Sequence, residues 1–176
     1  YSEGVKDTFI SKMDDSLLIE KTNGLTFDSQ GNLYACEYGK GKILKIDDKN
    51  KIEVYADNYD GEKFNRPNDL TFDLFGNLYF TDPNSYDKNI LDGRIFLVDA
   101  KTREVILLED SLAFPNGINI SPIDHKLYIC ESVFNRILRF DITKNNRLSN
   151  KEVFAIIPGG DPDGIEFDVK GNLYVA

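Results

Sequence analysis

The chain has no tryptophan, one histidine, one methionine and two cysteines in 176 residues. With His125 alone, multi-histidine zinc sites are excluded, and its setting in SPIDHK reads as a solvated loop rather than the base of a Ser-His-Asp or Cys-His arrangement. Two cysteines cannot build a four-thiolate zinc site. Cys36 and Cys130 stand in matching phrases, ACE and ICE, of two separate units, so buried reduced thiols are expected rather than a disulfide. No apolar run approaches the length of a membrane-spanning helix, and the opening YSEGVKDTFI lacks the basic end and apolar core of a signal peptide, which places the chain in the cytoplasm by default. Lys and Arg total 21 against 30 Asp and Glu, a formal charge of −9, with no basic run. Nucleic acid and anionic membrane surfaces are therefore excluded as expected partners, and cations are favoured. No segment holds a helical period over ten or more residues, so almost no helix is expected.

What the chain does have is one phrase written four times. It reads NGLTFDSQGNLYACE from residue 23, NDLTFDLFGNLYFTD from 68, NGINISPIDHKLYICE from 116 and DGIEFDVKGNLYVA from 163, at intervals of 45, 48 and 47 residues. A period in the mid-forties with strand-like content is the mark of propeller blades. Within each copy apolar side chains alternate, as at Leu70, Phe72, Leu78 and Phe80, and three copies turn through Asp-x-x-Gly-Asn, where Gly31, Gly76 and Gly171 suit backbone angles that other residues resist. Two more strand-like runs follow each complete hairpin, GKILKID and KIEVYAD in the first unit, GRIFLVDA and EVILLED in the second, NRILRFDI and KEVFAII in the third.

The expected fold is all-β, a propeller of four-stranded antiparallel blades with about four blades' worth of chain. The blades are set at 23–57, 68–110 and 116–157, with an outer-strand remnant at 1–22 and the first hairpin of a further blade at 163–176. Both ends fall inside blades, and a blade cannot bury both faces alone, so the chain reads as a fragment of a longer one. DPNSYDKNILDG (82–93) lacks the central Gly and final Glu of an EF-hand loop and reads as a blade loop over the channel; PGGDPDG (158–164) lacks the Gly-Lys-Ser/Thr of a phosphate-binding loop.

Each hairpin turn returns its second strand to the start of its first. That places Asn23 near Glu37, Asn68 near Asp82 and Asn116 near Glu131. If these hairpins hold the innermost strands, carboxylates and amide carbonyls from several blades converge on one mouth of the channel, a donor set suited to a hard cation such as calcium. Asn and Asp at strand starts also cap turns, with a following Gly relieving strain, and that structural reading stands beside the first.

NRPNDL (65–70), FPNGI (114–118) and GGDPDGIEFDVKGNLYVA (159–176) resemble the gluconolactonase/regucalcin family, also called the senescence marker protein family. NGLTFDSQGNLYACEYG and GNLYFTDP are similar to its bacterial gluconolactonase branch. The resemblance, which runs from Asn23 onward, implies a six-bladed, calcium-dependent propeller hydrolase with a divalent metal at the top of the channel. It assigns metal-ligand roles to Asn116 and Asp163, places Asn68 beside the metal as ligand or substrate contact, and makes Arg66 a substrate contact. Zinc, magnesium and manganese are the other ions such a site could take. The family's metal-binding Glu lies in an E-G-P-x-W type motif; this chain has no Trp, and Glu3 in SEGV is too close to Asn23 to be assigned that part.

The implied reaction is hydrolysis of a small sugar lactone. The metal polarises the carbonyl, Asp163 serves as ligand and candidate general base, Glu131 and Asp82 are further candidate proton acceptors, and Asn68 with Arg66 positions the sugar. The alternatives are a non-catalytic propeller that binds a protein or carbohydrate, and hydrolysis of other esters or phosphoesters on the same scaffold.

Overall fold

The structure is a computed structural model that describes residues 19–176. Three complete four-stranded antiparallel sheets follow one another along the chain. Blade 1 is formed by β1 (Thr22–Phe27), β2 (Leu33–Glu37), β3 (Lys42–Ile46) and β4 (Ile52–Ala56). A small hairpin, β5 (Asn58–Tyr59) and β6 (Glu62–Lys63), stands between it and blade 2, where the sequence pattern shows only a link. Blade 2 comprises β7 (Leu70–Phe72), β8 (Leu78–Asp82), β9 (Gly93–Val98) and β10 (Val105–Leu112). Blade 3 comprises β11 (Pro115–Ile120), β12 (Leu127–Glu131), β13 (Arg136–Ile142) and β14 (Leu148–Ile156), and β15 (Ile165–Phe167) pairs with β16 (Leu173–Val175) in the last hairpin. The all-β propeller architecture expected from the repeat is present. The one helical element among the described residues is a single 3-10 turn at Ser132–Phe134, and no helix there is long and apolar enough to cross a membrane. Much of the outer-strand remnant expected at 1–22, and Glu3 with it, lies outside the described residues.

In three of the four inner hairpins an aspartate closes the turn. Asp73 accepts the Phe75 and Asn77 backbone N–H groups at 2.8 and 2.9 Å, the Asn77 amide at 2.8 Å and the Tyr79 hydroxyl at 3.4 Å. Asp28 and Asp168 repeat the pattern with Asn32 and Tyr34, and with Asn172 and Tyr174. Gly31, Gly76 and Gly171 sit at φ of 84, 83 and 83°, the left-handed region the turn requires. The third copy replaces this device: the Ser121 hydroxyl accepts the Ile123 and Asp124 N–H groups, His125 takes the positive φ, and Asp124 accepts the Tyr128 hydroxyl.

The core lies between blades. Tyr34, Cys36 and Ile43 of blade 1 pack against Leu70, Phe80 and Phe96 of blade 2, with Phe64 inserted among them. Tyr79, Ile95 and Leu97 then meet Ile118 and Ile129 of blade 3, and Tyr128, Cys130 and Ile137 meet Ile165 and Phe167 of the last hairpin. Cys36 and Cys130 are free and buried in different clusters, and burial pushes both thiols well up, Cys130 to about 12. Such thiols are poor nucleophiles and poor metal ligands.

Candidate functional site

Why is the opening Asn or Asp followed by Gly in three of the four copies? The inner strands of neighbouring blades clasp each other at that point. The Gly24 N–H donates to the Asn68 carbonyl at 2.8 Å, and the Gly117 N–H to the Asp163 carbonyl at 2.7 Å. A Cβ on Gly24 would lie 2.7 Å from Asn68 O, and one on Gly117 2.4 Å from Asp163 O, so a side chain cannot enter either clasp. The backbones of Asn68, Asn116 and Asp163 are thereby linked in a row, with Thr81 joining the first two: its carbonyl accepts the Asn68 N–H at 2.9 Å and its hydroxyl donates to Asn116 O at 2.7 Å.

Asn116 is the best fixed of the candidate ligands. Its amide nitrogen donates to the Ser132 hydroxyl at 3.2 Å, and that hydroxyl donates to the Pro162 carbonyl at 2.7 Å. With Nδ2 spent inward, Oδ1 is left as an acceptor that no described residue engages, which is what a carbonyl ligand for a hard cation requires. The side chains of Asn68, Asp163 and Arg66 likewise form no hydrogen bond or ion pair with any described residue, although the Asp163 N–H is tied to Ala176 O at 2.9 Å and the Arg66 N–H to Asp82 at 2.8 Å. Asp163 and Arg66 are exposed, and Asn68 is half-buried. The donors fit a divalent cation in kind, two amides and one carboxylate. No group of three or more His, Cys, Asp or Glu residues suited to a metal is found among the described residues, so the charge they offer is that of Asp163.

The closing acids of the hairpins are placed differently from expectation. Glu37 and Glu131 pair with Thr22 and Pro115, one residue ahead of Asn23 and Asn116, as the hairpin geometry requires. Their carboxylates, however, are taken up by backbone N–H groups and arginines. Glu37 accepts the N–H groups of Glu20, Lys21 and Lys40 at 2.9, 2.6 and 2.8 Å. Asp82 accepts those of Asn65 and Arg66 and pairs with Arg94 at 2.6 Å, and Glu131 accepts the Ala113 N–H at 2.8 Å and pairs with Arg136 at 2.5 Å. All three are essentially inaccessible, and they pin the segment that leads into each inner strand. Burial holds the Asp82 carboxyl above the usual range against the pull of its N–H donors and Arg94. Carboxylates saturated in this way are anchors, and Asp82 and Glu131 are accordingly removed as proton acceptors.

The loop at 83–92 is organised by Asp92, which accepts from Ser85 N, Ser85 Oγ and Asn84 Nδ2. Its Tyr86 packs edge-on against Phe114, ring centres 4.9 Å apart, and its hydroxyl donates to Asp161, two residues before Asp163. His125 is exposed in its turn, as its sequence context indicates. It borders a groove of about 720 Å³ between blades 2 and 3 at the turn end, lined by Leu74, Phe75, Ile120, Ile142 and Lys144. The acids there, Asp73 and Asp99, are committed to their turns, whereas the mouth carries free oxygens. The chemistry therefore points to the mouth. Sequence reasoning missed Ser132, Thr81 and Asp69; the signal was a hydroxyl beside a closing acid and an Asp where three copies have Gly, but their partners lie on other blades.

Residues 9–176 match the family model described as the SMP-30/Gluconolactonase/LRE-like region. The chain is 32% identical over 174 residues to a gluconolactonase of Zymomonas mobilis, covering 88% of this chain and 49% of that protein. It is 31% identical to STRICTOSIDINE SYNTHASE-LIKE 4 of Arabidopsis thaliana, covering 87% and 43%. Among solved structures it superposes on a gluconolactonase of Xanthomonas campestris with a TM-score of 0.77 at 27% identity, covering 88% of this chain and 55% of the other. The chain thus spans about half the length of the curated relatives it matches.

Proposed function

Given that the chain belongs to the SMP-30/gluconolactonase/LRE-like family, we propose that the whole protein is a sugar lactonase that works with a divalent cation, calcium first among them, at the channel mouth. The observation that carries the reading is Asn116, whose amide is locked by Ser132 so that its oxygen is left free of protein partners. Asn116 and Asp163 would hold the ion, with Asn68 beside them. When bound, the ion supplies Lewis-acid polarisation of the lactone carbonyl. Asp163 takes the proton of the water that adds to the carbonyl carbon. The ring C–O bond then breaks, the departing oxygen takes the proton that Asp163 received, and a hydroxy acid results with Asp163 restored. The uncommitted Arg66 guanidinium and the Asn68 amide orient the sugar hydroxyls.

The names of relatives favour keeping other chemistry in view, since a strictosidine synthase-like protein matches nearly as well and a streptogramin B lyase shares the fold with a TM-score of 0.65 at 23% identity. The deciding test is calorimetric calcium titration of the full-length protein together with proton release from gluconolactone, in wild type, Asn116→Ala and Asp163→Ala. Joint loss of binding and hydrolysis in both variants supports the reading. Calcium binding that survives both, or a protein indifferent to metal and lactone, would leave a binding scaffold in its place.

A further inference from the structure

The three described junctions between blades are not alike. At the junctions of blade 1 with blade 2, and of blade 3 with the last hairpin, a glycine N–H reaches the neighbouring strand's carbonyl directly, at 2.8 and 2.7 Å. The matching bond between blades 2 and 3 would run from Asp69 N–H to Asn116 O. Instead the Asp69 N–H goes to Thr81 Oγ1 at 3.2 Å, and Thr81 Oγ1 donates to Asn116 O at 2.7 Å. Two hydrogen bonds in series span what one spans elsewhere, so at this point the Thr81 hydroxyl stands between the two main chains. This arrangement goes with the exceptional residue: a side chain, that of Asp69, stands where the other two junctions have glycine. Its Oδ2 accepts the Ile118 N–H of blade 3 at 3.0 Å, a second tie across the junction. Burial raises the Asp69 carboxyl above its usual range, as befits a group enclosed between blades.

We propose that Thr81 and Asp69 act as a hydroxyl-and-carboxylate spacer that sets the interval between Asn68 and Asn116, and with it the size of cation the mouth accepts. This rests on the proposed cation site. Both are positioning residues: Thr81 fixes the main chains of both amide donors, through Asn68 N–H and Asn116 O, and Asp69 fixes the strand that follows Asn116. An interval spanned through a hydroxyl would favour calcium, whose longer bonds and flexible shell tolerate spread donors, over magnesium, which demands a tighter octahedron.

The test is isothermal titration of the full-length protein with calcium and with magnesium, each variant's folding being checked by circular dichroism. Thr81→Val removes the hydroxyl at nearly constant shape and should weaken calcium binding about tenfold, whereas Thr81→Ser should match wild type. The double variant Asp69→Gly/Thr81→Val rebuilds the direct glycine clasp found at the other two junctions and should move the calcium-to-magnesium affinity ratio about tenfold toward magnesium. If Thr81→Val does not fold, the double variant decides alone, because its junction is of a kind this fold already contains. Folded variants with wild-type affinity and ratio would overturn the spacer while leaving the cation site standing. A wild type that binds neither ion would overturn the cation site, and the spacer's role with it.

Discussion

The two ends of the inner hairpins use the same residue types to opposite purpose. At the turn end, Asp73 accepts four hydrogen bonds, and Asp28 and Asp168 do likewise. At the mouth end, the Asn68 and Asp163 side chains bond to no described residue, and Asn116 spends its nitrogen on Ser132 while its oxygen has no described partner. Repetition alone cannot separate these ends, because a structural turn and a ligand ring recur with the same period. Saturation separates them: a polar group whose capacity is filled by its own fold is holding that fold, and one left open is free to meet something else.

The largest expected effects come from crossing the two ends. Asp163→Ala should reduce cation affinity by roughly 100-fold or more while barely moving the unfolding midpoint, because its side chain holds no described neighbour. Asp73→Ala should do the reverse. It strands the buried Asn77 amide and Tyr79 hydroxyl and should lower stability by about 3 kcal/mol, with cation affinity within about twofold of wild type. Chemical denaturation and calorimetry on both proteins check this together; comparable loss of stability in the two would erase the difference between the two ends. Ser132→Ala comes next. Freed from its lock, the Asn116 amide can rotate, and affinity should fall about tenfold with a stability cost near 1 kcal/mol. Affinity unchanged in this variant would mean that the oxygen of Asn116 is not oriented by Ser132.

The sequence carried the turn end almost whole. Asp-x-x-Gly-Asn is a local device whose partners lie within six residues of each other, so spacing alone predicts it, and only the third copy, with Ser121, Asp124 and His125 in its place, hides the same function under other residues. The mouth was legible as an alignment of Asn68, Asn116 and Asp163 but not as a division of labour. Glu37, Asp82 and Glu131 sit at equally regular positions and look equally ready to bind. Their commitment to backbone N–H groups up to eighteen residues away appears only when the chain is folded. Thr81 and Ser132 were invisible for the same reason, since each acts across a blade boundary, 35 and 30 residues from the carbonyl it serves.

The smallest effect sharpens the comparison through pH. Burial works to raise the Asp28 carboxyl, yet the Asn32 amide and the Asn32 and Gln30 N–H groups outweigh it and hold the group below its ordinary value of 3.8. Asp168 is lowered likewise, first by the Asn172 amide. An acid whose folded value is depressed binds its proton less readily folded than unfolded. Its stabilisation is therefore complete above 3.8 and is lost as pH falls through the folded value. Asp82 runs the other way: burial raises it in the folded state, so acidification toward its ordinary value favours the fold there. Asp28→Asn should consequently lower the melting temperature slightly at neutral pH and lose part of wild type's further decline below pH 3.8, so that the two melting curves converge in acid. Curves that stay parallel through that window would mean the turn carboxylate does not depend on its charge, and that its hold on the hairpin is one an amide can supply equally well.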